Sequence, residues 1–533
     1  MNSSRIFVDE GQEALDRNLS NLCRSVRWGH ELLNRARTSN FEATHVQPLH
    51  PNKDRYWALR LKTPQHLQDG LGLAPEVLVV VVPGEVQARD LSAAFQVIQH
   101  DTKQRLDPDL IVVASDWQNL ESRLEQIPAA RERCIAWQFE NQTGPTDRDA
   151  TGLSQVLGAR LATHDIFDER DPVRGRHVIG RRDEIRALTR QVIEGKSVGL
   201  FGLRKVGKTT LIRKVTDDLD PHSIDTTPLE NQINNNHSRA LVFFTDTQDI
   251  TEMSLERVLA LLCRKLCRRL SLEGISVSAP QHPSMKNFER ILDKALGTTN
   301  LPLCLVIDEY DYLYEPVPIR GLSILLRLLR AKAQETRRLA LVIAGRDPGL
   351  FQAPKLEGMP NPVMGWFQET WIGPFDKDSA NEALKKLGRR VGLDVGPETL
   401  NTAFEWTRGH PMLHRQFGSA LWHLLRKGRR TIERPATDAH LEEAKRVFRE
   451  KEAARVICQE ISALLSERYQ DAFDLLSYLA ENSPDMASQF FDWHGGYEGE
   501  SSLILRRFGL VSGTQQEPEI PQLLRWYLKS RRA

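Results

Sequence analysis

Apolar residues recur along the chain at two spacings. Over residues 10–37, Leu15, Leu19, Leu22 and Val26 repeat at threes and fours, and Leu33 falls two turns further on, which predicts a helix. Short β-like runs follow at Thr44–Val46 and Tyr56–Leu61, and then the run Val77–Val82, whose length and uniform apolarity predict a buried strand. Ala88–Ile98 reads as helix, Leu110–Ala114 as strand, Leu120–Ile127 as helix and Cys134–Phe139 as strand. Strand–helix–strand alternation at this spacing predicts a small α/β domain.

The pattern changes over residues 140–178. Asn141–Thr151 holds Gly, Pro, Thr and Asp with little apolar content, and His164–Gly175 is charged and contains Pro, so a boundary is expected here. Strand–helix alternation resumes from Val178 to about Gly373. Residues 374–435 read as helical throughout, and the tail from about 440 is helical with a short β-hairpin near its end. No repeat of fixed period is evident. The expected division is 1–150, a linker at 151–177, a core at 178–373, a helical segment at 374–440 and a tail at 441–533.

Length agrees: 533 residues at roughly 150 per domain suggest three or four domains. Lys+Arg is 72 and Asp+Glu 71, a net charge of +1, which removes the whole-chain electrostatic argument for a nucleic-acid or membrane binder. With 40% hydrophobic and 27% charged residues, the chain has the composition of a folded globular protein. No apolar run approaches the ~20 residues of a membrane helix, and the start lacks the apolar core of a secretory signal. The six cysteines have neither disulfide-framework nor zinc spacing, so reduced thiols and a cytoplasmic location are expected.

Chemistry enters at Gly202-Leu-Arg-Lys-Val206-Gly207-Lys208-Thr209, which fits G-x-x-x-x-G-K-[ST] at every fixed position. The apolar run Ser197–Phe201 precedes it and a helical stretch, Thr209–Asp218, follows, which is the strand–loop–helix setting the motif needs. The glycines let successive backbone N–H groups turn inward, where they and the helix N-terminus surround phosphate oxygens. Lys208 supplies a point charge to the β- and γ-phosphates, the Thr209 hydroxyl is placed to ligate Mg²⁺, and Thr210 is placed for the α-phosphate.

About a hundred residues later, Leu303-Cys-Leu-Val-Ile307-Asp308-Glu309 is an apolar strand ending in two carboxylates. In doubly wound sheets ligands bind at such carboxyl ends. Asp308 is expected to hold Mg²⁺ and Glu309 to polarise an attacking water. A solvated acidic turn would look the same in isolation; the upstream phosphate loop is what argues against it. Asp311, two residues beyond the pair, is the weaker candidate.

Three further pieces join these. Leu339–Ala344 is an apolar strand ending in Gly345-Arg346-Asp347. Were it to lie beside the phosphate-loop strand, Arg346 would aim at the γ-phosphate, with a surface pair to Asp347 as the plainer reading. Val178-Ile179-Gly180-Arg181 opens a helix with Ile185, Leu188 and Val192 as its apolar stripe. Thr407-Arg-Gly409-His410-Pro411 breaks one helix and starts another, with Pro suited to the first turn. His410 has no second ligand at metal-binding spacing.

These pieces in this order resemble the STAND branch of the AAA-related P-loop ATPases, over about residues 178–530. The resemblance implies an α/β fold: a P-loop NTPase parallel-sheet core, a helical lid over 374–440 and a C-terminal winged helix over 441–533, beside the small N-terminal α/β domain. It implies ATP/ADP and Mg²⁺ as cofactors, with Ile179 and Gly180 cradling adenine and Pro411 closing over the base. It further implies a switch, compact with ADP and opened or self-associated with ATP, coupled to signalling or defence through the N-terminal module or through a partner effector or sensor protein. No guanine-reading Asn-Lys-x-Asp motif appears. Residues 441–533 do not show the sensor array of repeats that is common in such proteins.

The tail itself tempers the alternative, a DNA-associated ATPase of the initiator or transposition-helper kind. Residues 455–533 hold eight Lys/Arg against eleven Asp/Glu, an acidic sum that disfavours phosphate attraction. Its turn Gly513–Pro518 is the expected wing and Ile520–Leu528 a closing helix. Nucleic acid is therefore the less favoured partner, and no membrane partner is expected. In residues 1–150, Glu85, Asp107, Asp109 and Asp116 flank strands without forming a recognisable catalytic set, as turn residues do.

Overall fold

The computed structural model describes residues 12–50, 55–71, 73–99, 101, 105–127, 130, 133–139, 152–163, 165–168, 178–220, 240–250, 254–315, 318–391, 393, 395–426, 436–482 and 486–531. The chain divides into two compact units, residues 1–169 with 383–399 and 418–444, and residues 170–382 with 400–417 and 445–533.

The first unit is built on the strands β1 (Glu42–Pro48), β2 (Trp57–Lys62), β3 (Glu76–Val81), β4 (Leu106–Ser115) and β5 (Cys134–Gln138), in that spatial order. β1–β2–β3 pair antiparallel and β3–β4–β5 parallel. The uniform apolarity of β3 has a simple cause. Val77, Val79 and Val81 face one core with Leu22, Leu32 and Trp137, while Leu78 and Val80 face a second with Leu91, Ile111 and Val113. A charged pair is also buried here: Arg60 on β2 donates to Asp101 at 2.8 Å.

Two expectations change in this unit. The single helix predicted over 10–37 is two, Gln12–Ser25 and Gly29–Thr38, broken around Trp28, whose ring stacks on Phe139 at 4.4 Å. The i,i+4 pattern runs across the break because both helices bury Leu or Val on the same core. Within 151–177, read as linker, Leu153–Thr163 is a helix whose Leu153 and Leu157 are fully buried against the first core. The stretch 140–151, most of 164–177 and Arg532 lie outside the described residues.

The second unit holds a five-stranded, all-parallel sheet. Its strands are β6 (Val198–Phe201), β7 (Leu241–Asp246), β8 (Leu303–Asp308), β9 (Leu339–Gly345) and, after the two-residue ribbon β10 (Lys355–Leu356) and β11 (Met359–Pro360), β12 (Gln368–Trp371). The order is β12-β6-β9-β8-β7. Helices Leu255–Leu272, Met285–Thr298 and Leu322–Thr336 cover one face, burying Leu262, Phe288, Leu292 and Leu326 against Phe243, Leu305 and Ile343. This is the P-loop NTPase α/β fold. The connections leaving the neighbours β6 and β9 run in opposite directions, to β7 at one edge and to β12 at the other, so the carboxyl ends of β6 and β9, with β8 beside them, open onto one crevice.

The tail packs as helices Glu452–Arg468, Gln470–Glu481, Ala487–Trp493 and Glu500–Arg507, then the ribbon β13 (Ser512–Gly513) with β14 (Pro518–Glu519), then helix Gln522–Ser530. Leu475, Leu476 and Leu479 are buried, while Phe473 is half-buried. No described helix is long and apolar enough to cross a membrane, and all six cysteines are free.

Candidate nucleotide site

The crevice begins where β6 ends. Gly202 takes φ +152°, and a Cβ there would lie 2.3 Å from the Ile372 carbonyl oxygen, so only glycine lets the loop leave the sheet at this point. The loop turns back through Lys205 at φ +61° and Gly207 at φ +103°, and helix Lys208–Leu219 starts behind it. Val206 is buried beneath the loop. Lys208 is buried too, and its Nζ donates to Gly202 O at 2.9 Å and Leu203 O at 3.0 Å. Burial lowers its pKa, against the opposing fields of Glu309, Asp311 and Asp308. Thr209 and Thr210 follow in the first turn, both half-buried.

β8 brings the second half. Thr209 Oγ1 donates to Asp308 Oδ2 at 2.7 Å, and Asp308 Oδ1 accepts from the Glu309 backbone N–H at 3.0 Å. Burial lifts Asp308 to about 6, opposed by that Thr209 hydrogen bond. Glu309 sits at φ +53°, an uncommon conformation for a residue with a side chain, and Thr247 on the neighbouring strand's end donates to its carbonyl. Two hard oxygen donors in contact suit Mg²⁺, which takes one or two protein oxygens and completes its shell with phosphate and water.

β9 pairs with β6, as the aim of Arg346 requires. Asp311 holds the strand end by accepting from the Arg346 backbone N–H at 3.0 Å. Burial raises Asp311 to about 7, with Arg346 opposing. The Arg346 guanidinium bonds to Glu315, and Asp347 pairs with Arg468 at 2.7 Å. The plainer reading of Arg346, a pair with Asp347, is therefore not what forms: each of the two takes another partner. Lys208, Glu309 and Arg346 line one cavity of about 970 Å³.

Ile179 and Gly180 lie half-buried, with Gly180 at φ +65° facing Ser379 and Phe375. The next residue does work that sequence did not announce. Arg181 donates to Val206 O at 3.3 Å and to Gly373 O, with its guanidinium 4.9 Å from the Phe375 ring centroid. It thus ties the segment ahead of the phosphate loop to the loop itself. Its place directly after Gly180 was the available signal.

Pro411 begins helix Pro411–Arg426 and is half-buried. Gly409 takes φ +73°, with its would-be Cβ 2.2 Å from Phe375 O, and Phe375 N–H donates to Gly409 O at 3.0 Å. His410 is the second residue that sequence reasoning passed over. It is buried, and its Nε2 lies 3.2 Å from Arg204 O in the phosphate loop, while Nδ1 accepts from Leu413 N–H. Donation from Nε2 and acceptance at Nδ1 define a neutral ring, and burial pushes its pKa down to about 4.

A phosphate loop, an acidic strand end in contact with it, and a strand between them bearing Arg346 define a P-loop nucleoside-triphosphatase site. Residues 194–353 match the family AAA_22, an AAA domain. This stretch is an AAA-type ATPase domain. Among solved structures, a Walker-type ATPase of Pyrococcus abyssi is 20% identical, with 68% of this chain and 99% of that chain covered, at a TM-score of 0.48. The ORC2 protein of Aeropyrum pernix, solved in ADPNP–ADP complexes, is 14% identical over 69% and 98% at 0.41. The ORC1 protein of the same organism, solved in complex with DNA, is 14% identical over 69% and 95% at 0.36. No curated protein matches the chain.

Proposed function

We propose that the protein is an ATP-binding and slowly hydrolysing switch of the STAND type, which couples nucleotide state to signalling or defence through residues 1–150 or a partner. The observation that carries the ATPase reading is the 2.7 Å contact between Thr209 and Asp308, which joins phosphate loop and acidic strand end next to Lys208 and Glu309, two residues that line one cavity. In this reading the loop N–H groups and Lys208 hold the β- and γ-phosphates. Thr209 and Asp308 would hold Mg²⁺, whose charge offsets that of the phosphates. Glu309 orients and polarises the attacking water. Thr210 reaches the α-phosphate. Ile179 and Gly180 cradle adenine, and Pro411 covers it. His410 reports on the loop from the lid side through Arg204 O. Self-association on ATP, with 178–373, 374–440 and 441–533 acting as core, lid and winged helix, completes the proposal.

The DNA-associated alternative is supported by the ribbon of β13 and β14, which follows helices Gln470–Glu481, Ala487–Trp493 and Glu500–Arg507 in the element order the winged-helix reading expects. Its charges speak against it. Arg506 pairs with Glu498 at 3.1 Å, Arg507 lies over the Trp371 ring and Arg531 over Tyr527. Arginines engaged within the unit favour an intramolecular role. Two measurements separate the readings. Mass photometry with ATP and with ADP should give larger assemblies with ATP, and equal mass in both contradicts the switch. Duplex binding with a steep salt slope supports the alternative.

A further inference from the structure

Arg346 lies next to the phosphate-loop strand yet is bonded to Glu315. Glu315 is shared: one carboxylate oxygen takes Arg346 and the other takes Arg468, the last residue of helix Glu452–Arg468. Arg468 also grips Asp347, at 2.7 Å, and the Asp347 side chain is 2% exposed. Burial works against the charge of Arg468, but Asp347 and Glu315 outweigh it, so the guanidinium stays charged. The same helix is anchored a second time, where Glu460 accepts from Arg204 of the phosphate loop at 2.8 Å. One helix of the tail therefore meets both elements that face the phosphates.

We propose that Arg468 is a positioning residue of the nucleotide site: by neutralising Glu315 it leaves Arg346 able to transfer to the γ-phosphate. Charge balance in a partly buried cavity sets the cost of that transfer. Glu315 holds two guanidiniums; with Arg468 in place, losing Arg346 leaves the carboxylate paired. Without Arg468, the buried Asp347 loses its ion pair and Glu315 keeps Arg346 as its remaining one, so the departure of Arg346 strands charge at a cost that opposes γ-phosphate binding. A fork donating to two carboxylates at once suits Arg and not Lys.

This inference rests on the ATPase reading, and its effect is specific to the γ-phosphate, which ADP lacks. The test measures the affinities of AMP-PNP and ADP for the full chain as wild type, Arg468→Ala, Arg468→Lys, Glu315→Gln and the Arg468→Ala/Glu315→Gln double variant. Arg468→Ala should weaken AMP-PNP about tenfold, the size of one charge-assisted hydrogen bond, and leave ADP unchanged, which also reports that the protein is folded. Arg468→Lys should fall between. The double variant should return AMP-PNP affinity to that of Glu315→Gln, because removing the competing carboxylate makes Arg468 dispensable. Equal weakening of both nucleotides by Arg468→Ala and Arg468→Lys, or a double variant no better than Arg468→Ala, overturns the proposal while the ATPase reading stands. A wild type that binds neither nucleotide overturns both.

Discussion

Thr209 and Asp308 meet at 2.7 Å although they are 99 positions apart in the chain. Each ends a segment whose direction was set locally: a glycine loop that turns into a helix, and an apolar strand that surfaces at two carboxylates. The parallel sheet places both at its carboxyl edge, and β9 between them brings Arg346 to the cavity that Lys208 and Glu309 line. The geometry of the site thus follows from strand order.

Lys208→Ala removes the buried cation that holds Gly202 O and Leu203 O. ATP and ADP should both weaken by at least about 100-fold, near 3 kcal/mol for a charged donor shared between phosphates. Fluorescence anisotropy with a labelled nucleotide measures this. A Kd within a few-fold of wild type would remove the phosphate loop from nucleotide binding.

Gly409→Ala asks for a side chain at φ +73° with its Cβ 2.2 Å from Phe375 O. Strain and the displaced Phe375–Gly409 hydrogen bond together should cost on the order of 2–4 kcal/mol. The thermal midpoint should fall by several degrees. An unchanged midpoint would mean that the Thr407–Pro411 junction is not held as described.

Acid should destabilise the protein through buried imidazoles. Burial pushes His410 and His414 down to about 4, whereas an unfolded chain titrates near ~6.5. Between those values the unfolded state binds more protons, so their contribution is complete above about 6.5 and is lost as pH falls toward 4. Asp308 and Asp311 act oppositely. Burial lifts them from 3.8 to about 6 and about 7, so their effect reduces stability as pH rises through that range. Substitution separates the two. His414 is bonded to Thr407 at 2.9 Å, away from the acids. His414→Phe should shrink the loss of stability between pH 7 and pH 5 by on the order of 1–2 kcal/mol, read from urea unfolding at both pH values. Identical pH dependence in variant and wild type would mean that His414 is not held neutral.

What could be read from sequence was whatever local pattern determines. The runs that became β3 and β8 are apolar because both faces are covered, and the phosphate loop is conspicuous because few residue types tolerate its backbone. β12, Gln368–Trp371, left no such trace: it is an edge strand, exposed or half-buried, and gains strand form by pairing with β6. The break around Trp28 and the docking of Leu153–Thr163 depend on packing with distant partners. Arg181, His410 and Arg468 are polar residues whose meaning lies in carbonyls and carboxylates far along the chain. Arg346 was placed beside the right strand, but its present partner, Glu315, was not foreseeable from spacing.

In the proposed reaction Glu309, held at φ +53° beyond Asp308, orients the water that attacks the γ-phosphate. The most direct test of that role is phosphate release from γ-labelled ATP by Glu309→Gln beside the wild type, with Mg²⁺ present. The variant should bind ATP with wild-type affinity and hydrolyse it about 100-fold or more slowly, the scale of a lost general base, so that intact ATP is recovered from the protein. Release at the wild-type rate would contradict a water-orienting role for Glu309.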